Sequence, residues 1–361
     1  MIMYNILSNF KIDGSIIQAD DYGNGHINKT YLVTTTSNKK YILQQINTTV
    51  FKKPKDVMEN IEMVTAHIRE NQKNNPDVSR SALEIVNTHD EKTYVKIKDS
   101  YWRCYKFIEG AKTYEKITNP FLFYEVGKAV GKFQKQLQDF PIDKLNITIP
   151  NFHNTPARFN RFLTVATEDV MDRGLDIFNE IKFICDRQEE MKIIENGMAN
   201  QSIPIRVTHN DTKLNNVMID ESTNQAICII DLDTVMPGSV LYDFGDAIRI
   251  GASTAAEDEK DLEKVHLDLT LFELFTKGFL EVVRNDLKEE ELNNLVLSAK
   301  IITLECGMRF LTDYLEGDVY FRTSYPDHNL IRARTQFKLV QEIEENWEQM
   351  NQIVNRILKT L

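Results

Sequence analysis

Over about the first hundred residues, apolar and polar positions alternate in short runs divided by polar turns, the period-two pattern of half-buried strands. The runs cover residues 15–17, 29–35 and 41–46, with a second group at 94–98 and 101–108. Between the groups, Val57, Ile61, Val64 and Ile68 recur at steps of three and four, so one helix is predicted over 56–71, its apolar stripe packed across a sheet. Pro54 and Asp56 supply start signals, and the polar stretch NQKNNPD ends it. After Glu109-Gly110 the period becomes helical, predicting helices over 119–138, 156–170, 175–196, 259–284, 289–315 and 329–358. The pattern describes an α+β chain with a small β-rich lobe, 1–108, and a large helical lobe, 109–361, hinged near 106–110.

Composition narrows the partners. The chain has 361 residues, 42% hydrophobic and 27% charged, which suits a globular protein with a large core. A formal charge of -11, with no Lys/Arg-rich block, opposes nucleic-acid binding and points to a small-molecule partner. Cys104, Cys185, Cys228 and Cys306 form no C-x-x-C pair, so neither a zinc site nor a disulfide framework is signalled, and free thiols in a reducing cytoplasm are expected. The first residues, MIMYNILSNFKIDG, lack a basic segment followed by a sustained apolar run, and no apolar stretch approaches membrane-spanning length. The expectation is a cytoplasmic monomer with no membrane partner.

One segment interrupts the helical half. Between residues 206 and 246 a loop carries His209-Asn210-Asp211-Thr212-Lys213-Leu214-Asn215-Asn216, followed by an apolar strand over 226–230 and then Asp231-Leu232-Asp233. Phosphoryl transfer needs a carboxylate to orient the attacking hydroxyl and hard oxygen ligands to hold a metal on the phosphates. Asp211 and Asn216 lie five apart across a tight loop, and Asp231 ends the next strand, so the spacing supplies all three groups. Taken singly, Asp and Asn in loops are turn formers or caps; the ordered set turns the reading towards a site.

H-x-D-x-x-x-x-N followed by a strand ending in I-D resembles the signature of the aminoglycoside phosphotransferase and choline kinase superfamily. That resemblance implies a two-lobed protein-kinase-like fold using ATP and Mg2+. Carried over residue by residue, it makes Asp211 the catalytic base, Asn216 and Asp231 the magnesium ligands, and His209 the brace of the loop. Gly238-Ser239-Val240-Leu241-Tyr242-Asp243 resembles the family's G-D-P-x-x-D segment, with Ser239 where an Asp is usual. In the small lobe, Gly23 and Gly25 fall where such a fold covers the phosphates, since glycines let backbone N–H groups approach phosphate oxygens; two glycines in a hairpin also make a plain turn. The next strand reads Y-I-L-Q, placing Gln44 where the phosphate-binding lysine is usual, and this puts a Lys pair with Glu59 or Glu62 in doubt. Another cation, Lys213 among the candidates, or a hydrogen bond from Gln44 would then serve the phosphates. Adenine is expected against the backbone of Lys106, Phe107 and Ile108.

A narrower resemblance, to the N-acetylhexosamine 1-kinases, is carried by G-x-G-H-I-N-x-T-Y, L-Q-x-I-N, H-N-D-T-K-x-N-N-V-M, I-D-L-D-T-V-M-P-G and the block from Glu305 to Phe321. It implies a sugar substrate whose anomeric hydroxyl Asp211 orients, with Arg309, Asp313, Tyr320 and His26 around the sugar. The plainer readings are that Arg309 and Asp313, four apart, pair on a helix surface and that His26 is structural. Kinases of choline, homoserine, methylthioribose or an aminoglycoside stay open, as does a nucleotide-binding pseudokinase, which Gln44 favours.

Overall fold

The computed structural model describes residues 2–23 and 27–361. Helix α1 (Ile2–Leu7) leads into strands β1 (Ile16–Asp21), β2 (Lys29–Thr35) and β3 (Lys40–Ile46), then α2 (Pro54–Asn71), the single turn α3 (Val78–Ser81), β4 (Val95–Ile97), β5 (Ser100–Lys106) and β6 (Ala111–Lys112). Helices α4 (Pro120–Gln136), α5 (Thr155–Glu168), α6 (Phe178–Cys185) and α7 (Ile193–Ala199) precede the short strands β7 (Arg206–Thr208), β8 (Val217–Asp220), β9 (Ala226–Ile229) and β10 (Met236–Gly238). The chain closes with α8 (Val240–Gly251), α9 (Leu269–Val283), α10 (Glu289–Asn293), α11 (Leu295–Leu315), α12 (His328–Glu345) and α13 (Trp347–Thr360).

The chain forms two compact units. The first joins residues 1–112 to 139–149 and 218–236. Its antiparallel sheet runs β1-β2-β3-β5-β4, with Gln44 of β3 opposite Arg103 of β5. Val33, Tyr41, Leu43, Trp102 and Cys104 bury the core side of this sheet together with Ile6, Leu7 and Phe10. The predicted stripe of α2, Val57, Ile61, Val64 and Ile68, is buried. From the same helix the buried Asn60 amide donates to the carbonyls of Val235 and Asn146, both at 2.9 Å, and so ties the segment after β9 to α2.

In the second unit α4 packs on α9, and α8 and α12 pack on α11. Gly245 lets α8 and α11 touch backbone to backbone, because a Cβ there would stand 2.5 Å from the Ser298 carbonyl oxygen. This close contact sets where α8 presents Asp243.

Several predicted helices are shorter than their pattern. The 289–315 stretch breaks at Asn294 and the 329–358 stretch at Asn346. Each Asn side chain donates to the carbonyl four residues earlier, Glu290 and Glu342, and so competes with the backbone ladder. The 175–196 stretch divides into α6 and α7 around Asp186-Arg187-Gln188-Glu189, which offers no apolar step to bury. Helix α9 begins at Leu269, where Asp268 accepts from the Leu271 N–H, rather than at 259.

Candidate active site

The second unit carries the loop after β7. Asp243 of α8 is fully buried and accepts from the His209 N–H at 3.0 Å, the Asn210 N–H at 2.7 Å and the Gln134 amide at 2.7 Å. The Thr212 hydroxyl donates to the Asp243 carbonyl at 2.5 Å. These bonds hold Asn210 at φ 66°, a left-handed conformation that Asn tolerates better than most residues. His209, buried against Phe133, accepts the Asp211 N–H on Nδ1 at 3.2 Å, as a loop brace should. Ser239 caps α8 by accepting from the Leu241 N–H, so the departure from the family's Asp exchanges one good N-cap for another.

Asp211 keeps a quarter of its side chain exposed. Burial would push its carboxyl up, but Lys213, 2.9 Å away, then His209 and Arg249, hold it below the ordinary value. The group is ionised at neutral pH and can take a hydrogen bond from a hydroxyl. Asn216 donates its amide to the Asp211 carbonyl at 2.8 Å and to the Asp211 carboxylate at 3.1 Å, which fixes the amide and turns its Oδ1 away from Asp211.

The first unit carries Asp231, Asp233 and the sheet face beside them. Asp231 follows β9 at φ 60°, and a 3-10 turn over Leu232–Thr234 begins from it. Two residues on, the buried Asp233 carboxylate pairs with Arg103, and its other oxygen accepts from Asn28 at 2.7 Å. Arg103 is 1% exposed and also donates Nε–H to the Gln44 amide oxygen at 2.9 Å, while the Gln44 amide donates to Thr30 at 3.0 Å. Burial alone would weaken the guanidinium's charge; Asp233 more than restores it and holds its pKa above the ordinary value. The cation beside Gln44 is therefore Arg103, and its buried partner is Asp233 rather than Glu59 or Glu62. Sequence reading missed both members, since a lone Arg in a strand carries no motif.

Gly23 has φ 76° and open space where a Cβ would stand. Gly25 and His26 lie outside the described residues. The Tyr22 ring meets the Phe107 ring edge-on at 6.0 Å, so the strand leaving the sheet towards Gly23 touches the end of β5. The Lys106 and Phe107 N–H groups are engaged by the carbonyls of Glu84 and Lys40, which directs the adenine expectation towards Ile108.

Arg309 does not pair with Asp313. Its guanidinium lies over the rings of Phe152 and Phe321, at 5.1 and 5.6 Å from the centroids. Asp313 is 2% exposed and accepts from the N–H groups of Val319, Tyr320 and Phe321 and from the Asn329 amide, so it anchors the loop that carries Tyr320. Arg158 donates to the Phe152 carbonyl at 3.2 Å, and burial followed by the charge of Arg309 lowers its pKa.

Asn216 and Asp231 offer the hard oxygens that magnesium takes. Among the described residues no group of three or more His, Cys, Asp or Glu could hold a metal by itself.

A β-sheet region followed by a mainly helical part, with an ionised Asp held in an H-x-D-x-x-x-x-N loop, defines a phosphotransferase of the kinase-like fold. A model of the phosphotransferase enzyme family matches residues 20–271, more than half of the sequence, and the chain belongs to that family. Among solved structures it is similar to an aminoglycoside phosphotransferase from Alicyclobacillus acidocaldarius, with a TM-score of 0.65 at 13% identity over 98% of this chain and 96% of the other. It is also similar to a microcompartment-associated aminopropanol kinase, at 0.66 and 15% over 97% and 98%. An amicoumacin kinase in complex with AMP-PNP, Ca2+ and amicoumacin matches at 0.62 and 14% over 96% and 93%. At these identities the likeness shows the fold.

Proposed function

We propose that the protein transfers the γ-phosphoryl group of ATP to the anomeric hydroxyl of an N-acetylhexosamine, giving the sugar 1-phosphate and ADP. The observation that carries this choice of acceptor is the charge beside the catalytic loop. Arg309 and Arg158 line that side with Phe152, Phe321 and Tyr320, while its carboxylates are spent internally: Glu305 on His153 and Thr155, Asp313 on backbone N–H groups. Choline and aminoglycosides are cations and would meet two arginines that, among the described residues, make no direct ion pair with a carboxylate. A neutral sugar with an acetamido carbonyl takes hydrogen bonds from guanidinium groups and stacks on aromatic rings.

In this reading residues 1–108 bind the nucleotide, 109–361 carry the catalytic loop and the acceptor pocket, and the hinge lies near 106–110. Gly23 and Gly25 cover the phosphates, Ile108 reads adenine with Lys106 and Phe107, and His26 approaches the sugar. The nucleotide and divalent ion of the amicoumacin kinase complex support ATP with a divalent metal here. Asn216 and Asp231 would hold Mg2+, which when bound neutralises phosphate charge. Asp211 accepts a hydrogen bond from the anomeric hydroxyl, aims its oxygen at the γ-phosphorus and receives its proton as the new O–P bond forms and ADP leaves. Arg309 and Tyr320 contact the sugar, and Asp313 holds the Tyr320 loop. An ionised Asp211 with Asn216 fixed against it favours turnover over a pseudokinase.

The test is ADP release with ATP and magnesium over N-acetylglucosamine, N-acetylgalactosamine, unacetylated hexoses, choline, homoserine, methylthioribose and an aminoglycoside, with the phosphate position read by NMR. Turnover confined to N-acetylhexosamines, with phosphate on the anomeric carbon, is expected. Faster turnover of any cationic acceptor would overturn this choice of substrate.

A further inference from the structure

Beneath the catalytic loop lies a buried network that none of these roles uses. His153, 6% exposed, sits where the chain enters α5. Its Nε2 faces the Asn210 carbonyl oxygen at 3.1 Å and its Nδ1 faces Glu305 Oε1 at 2.8 Å. The other Glu305 oxygen accepts from the Thr155 hydroxyl at 2.6 Å. Charged and titratable groups approach the ring from each packed element: Arg309 one turn beyond Glu305 on α11, Arg158 on α5, and Tyr242 of α8, whose ring lies 5.2 Å away and whose hydroxyl donates to Glu195 of α7.

The partners determine where the hydrogens are. A backbone carbonyl only accepts, so Nε2 must donate to Asn210. A neutral imidazole would then present a lone pair at Nδ1 to a carboxylate, two acceptors 2.8 Å apart. A second hydrogen must lie between them. Burial alone would raise the Glu305 carboxyl, but His153 and then Arg309 and Thr155 hold it below its ordinary value, and the hydrogen joins ring and carboxylate.

The consequence falls on one peptide. The Asn210 carbonyl is held by His153 and the Asp211 N–H by His209 Nδ1, so the Asn210–Asp211 peptide is gripped on both sides next to the left-handed Asn210. We propose that His153 is a positioning residue for phosphoryl transfer: donating from Nε2 and joined to Glu305 through Nδ1, it clamps the Asn210 carbonyl to Glu305 and so aims the Asp211 carboxylate at the acceptor. The clamp also ties the loop to α11, whose next turn carries Arg309. This rests on Asp211 being the group that orients the hydroxyl, and on no particular acceptor.

The test combines imidazole nitrogen NMR on the 15N-labelled full chain with kinetics. In the wild type the His153 Nε2 carries a hydrogen, the signals being assigned by their loss in His153→Ala. Glu305→Gln lets the new amide donate to Nδ1; the ring keeps only its Nε2 hydrogen, the donor to Asn210 survives, and kcat falls far less than in His153→Ala. His153→Ala frees the peptide, and a misplacement of the reacting group by about 1 Å costs roughly a hundredfold in kcat, with the ATP KM unchanged. A wild-type ring with no hydrogen on Nε2 overturns the proposal, as does a kcat in His153→Ala within twofold of the wild type, or a fall in kcat matched by an equal loss of ATP affinity. If His153→Ala does not fold, the ring is assigned by its response to Glu305→Gln, and wild-type protonation together with the Glu305→Gln rate decides. Asp211→Asn separates the two ideas: normal turnover there removes the assumed role of Asp211, while the NMR still reads the His153–Glu305 contact directly.

Discussion

Asp211 shows how one side chain is tuned by neighbours that pull in opposite directions. Burial favours the neutral acid, and Lys213, His209 and Arg249 together outweigh it. Because the carboxyl lies below its ordinary value of 3.8, its ionised form persists on falling pH until that lowered value is passed, so its acid limb lies below that of an ordinary aspartate. Lys213→Met removes the largest of the lowering influences and should move the acid limb of kcat to higher pH; an unmoved limb would show that another group titrates. Asp211→Asn keeps the shape and loses the acceptor, so turnover should vanish while calorimetric ATP affinity is retained. Arg103 is a second such residue. Arg103→Met leaves the Asp233 carboxylate buried without its cation, which costs about 3–5 kcal/mol and should appear as a lower urea midpoint. Arg103→Lys should recover part of this, a single ammonium replacing the guanidinium's bonds to Asp233 and Gln44.

Among the elements, α8 and α11 do most to place the catalytic loop. Gly245 brings their backbones together, Asp243 fixes two loop N–H groups, and Glu305 reaches the loop through His153. On α11, Arg309 and Asp313 are four residues apart and do different things, one lying over aromatic rings and the other capturing the N–H groups of 319–321. Both substitutions to Ala should raise the acceptor KM more than the ATP KM. Only Asp313→Ala should also make the 318–321 backbone exchange faster with deuterium; equal exchange in the two variants would mean that Asp313 does not hold the loop.

At the scale of the whole molecule, the proposed reaction calls for a divalent metal on the phosphates. If the metal serves that reaction alone, chelation should abolish turnover and leave Tm unchanged; a fall in Tm would reveal a structural ion. No helix among the described residues is long and apolar enough to cross a membrane. The sequence by itself determined what depends on local spacing: the strand runs of the first sheet though not their pairing order, because period-two alternation is local, the buried face of α2, and the loop from His209 to Asn216 with Asp231 beyond it. Of the short strands, β4 and β9 lie within longer apolar runs and were legible, whereas β6, β7, β8 and β10 were not. Helix breaks at Asn294 and Asn346 had a local signal, an Asn able to take the carbonyl of the preceding turn, hidden within otherwise continuous apolar stripes. Only the tertiary structure decided which charges meet. Arg103 finds Asp233 across 130 residues, and His153 finds Glu305 across 152. A buried ion pair is selected by the space left when distant elements pack, and no one-dimensional spacing records that space.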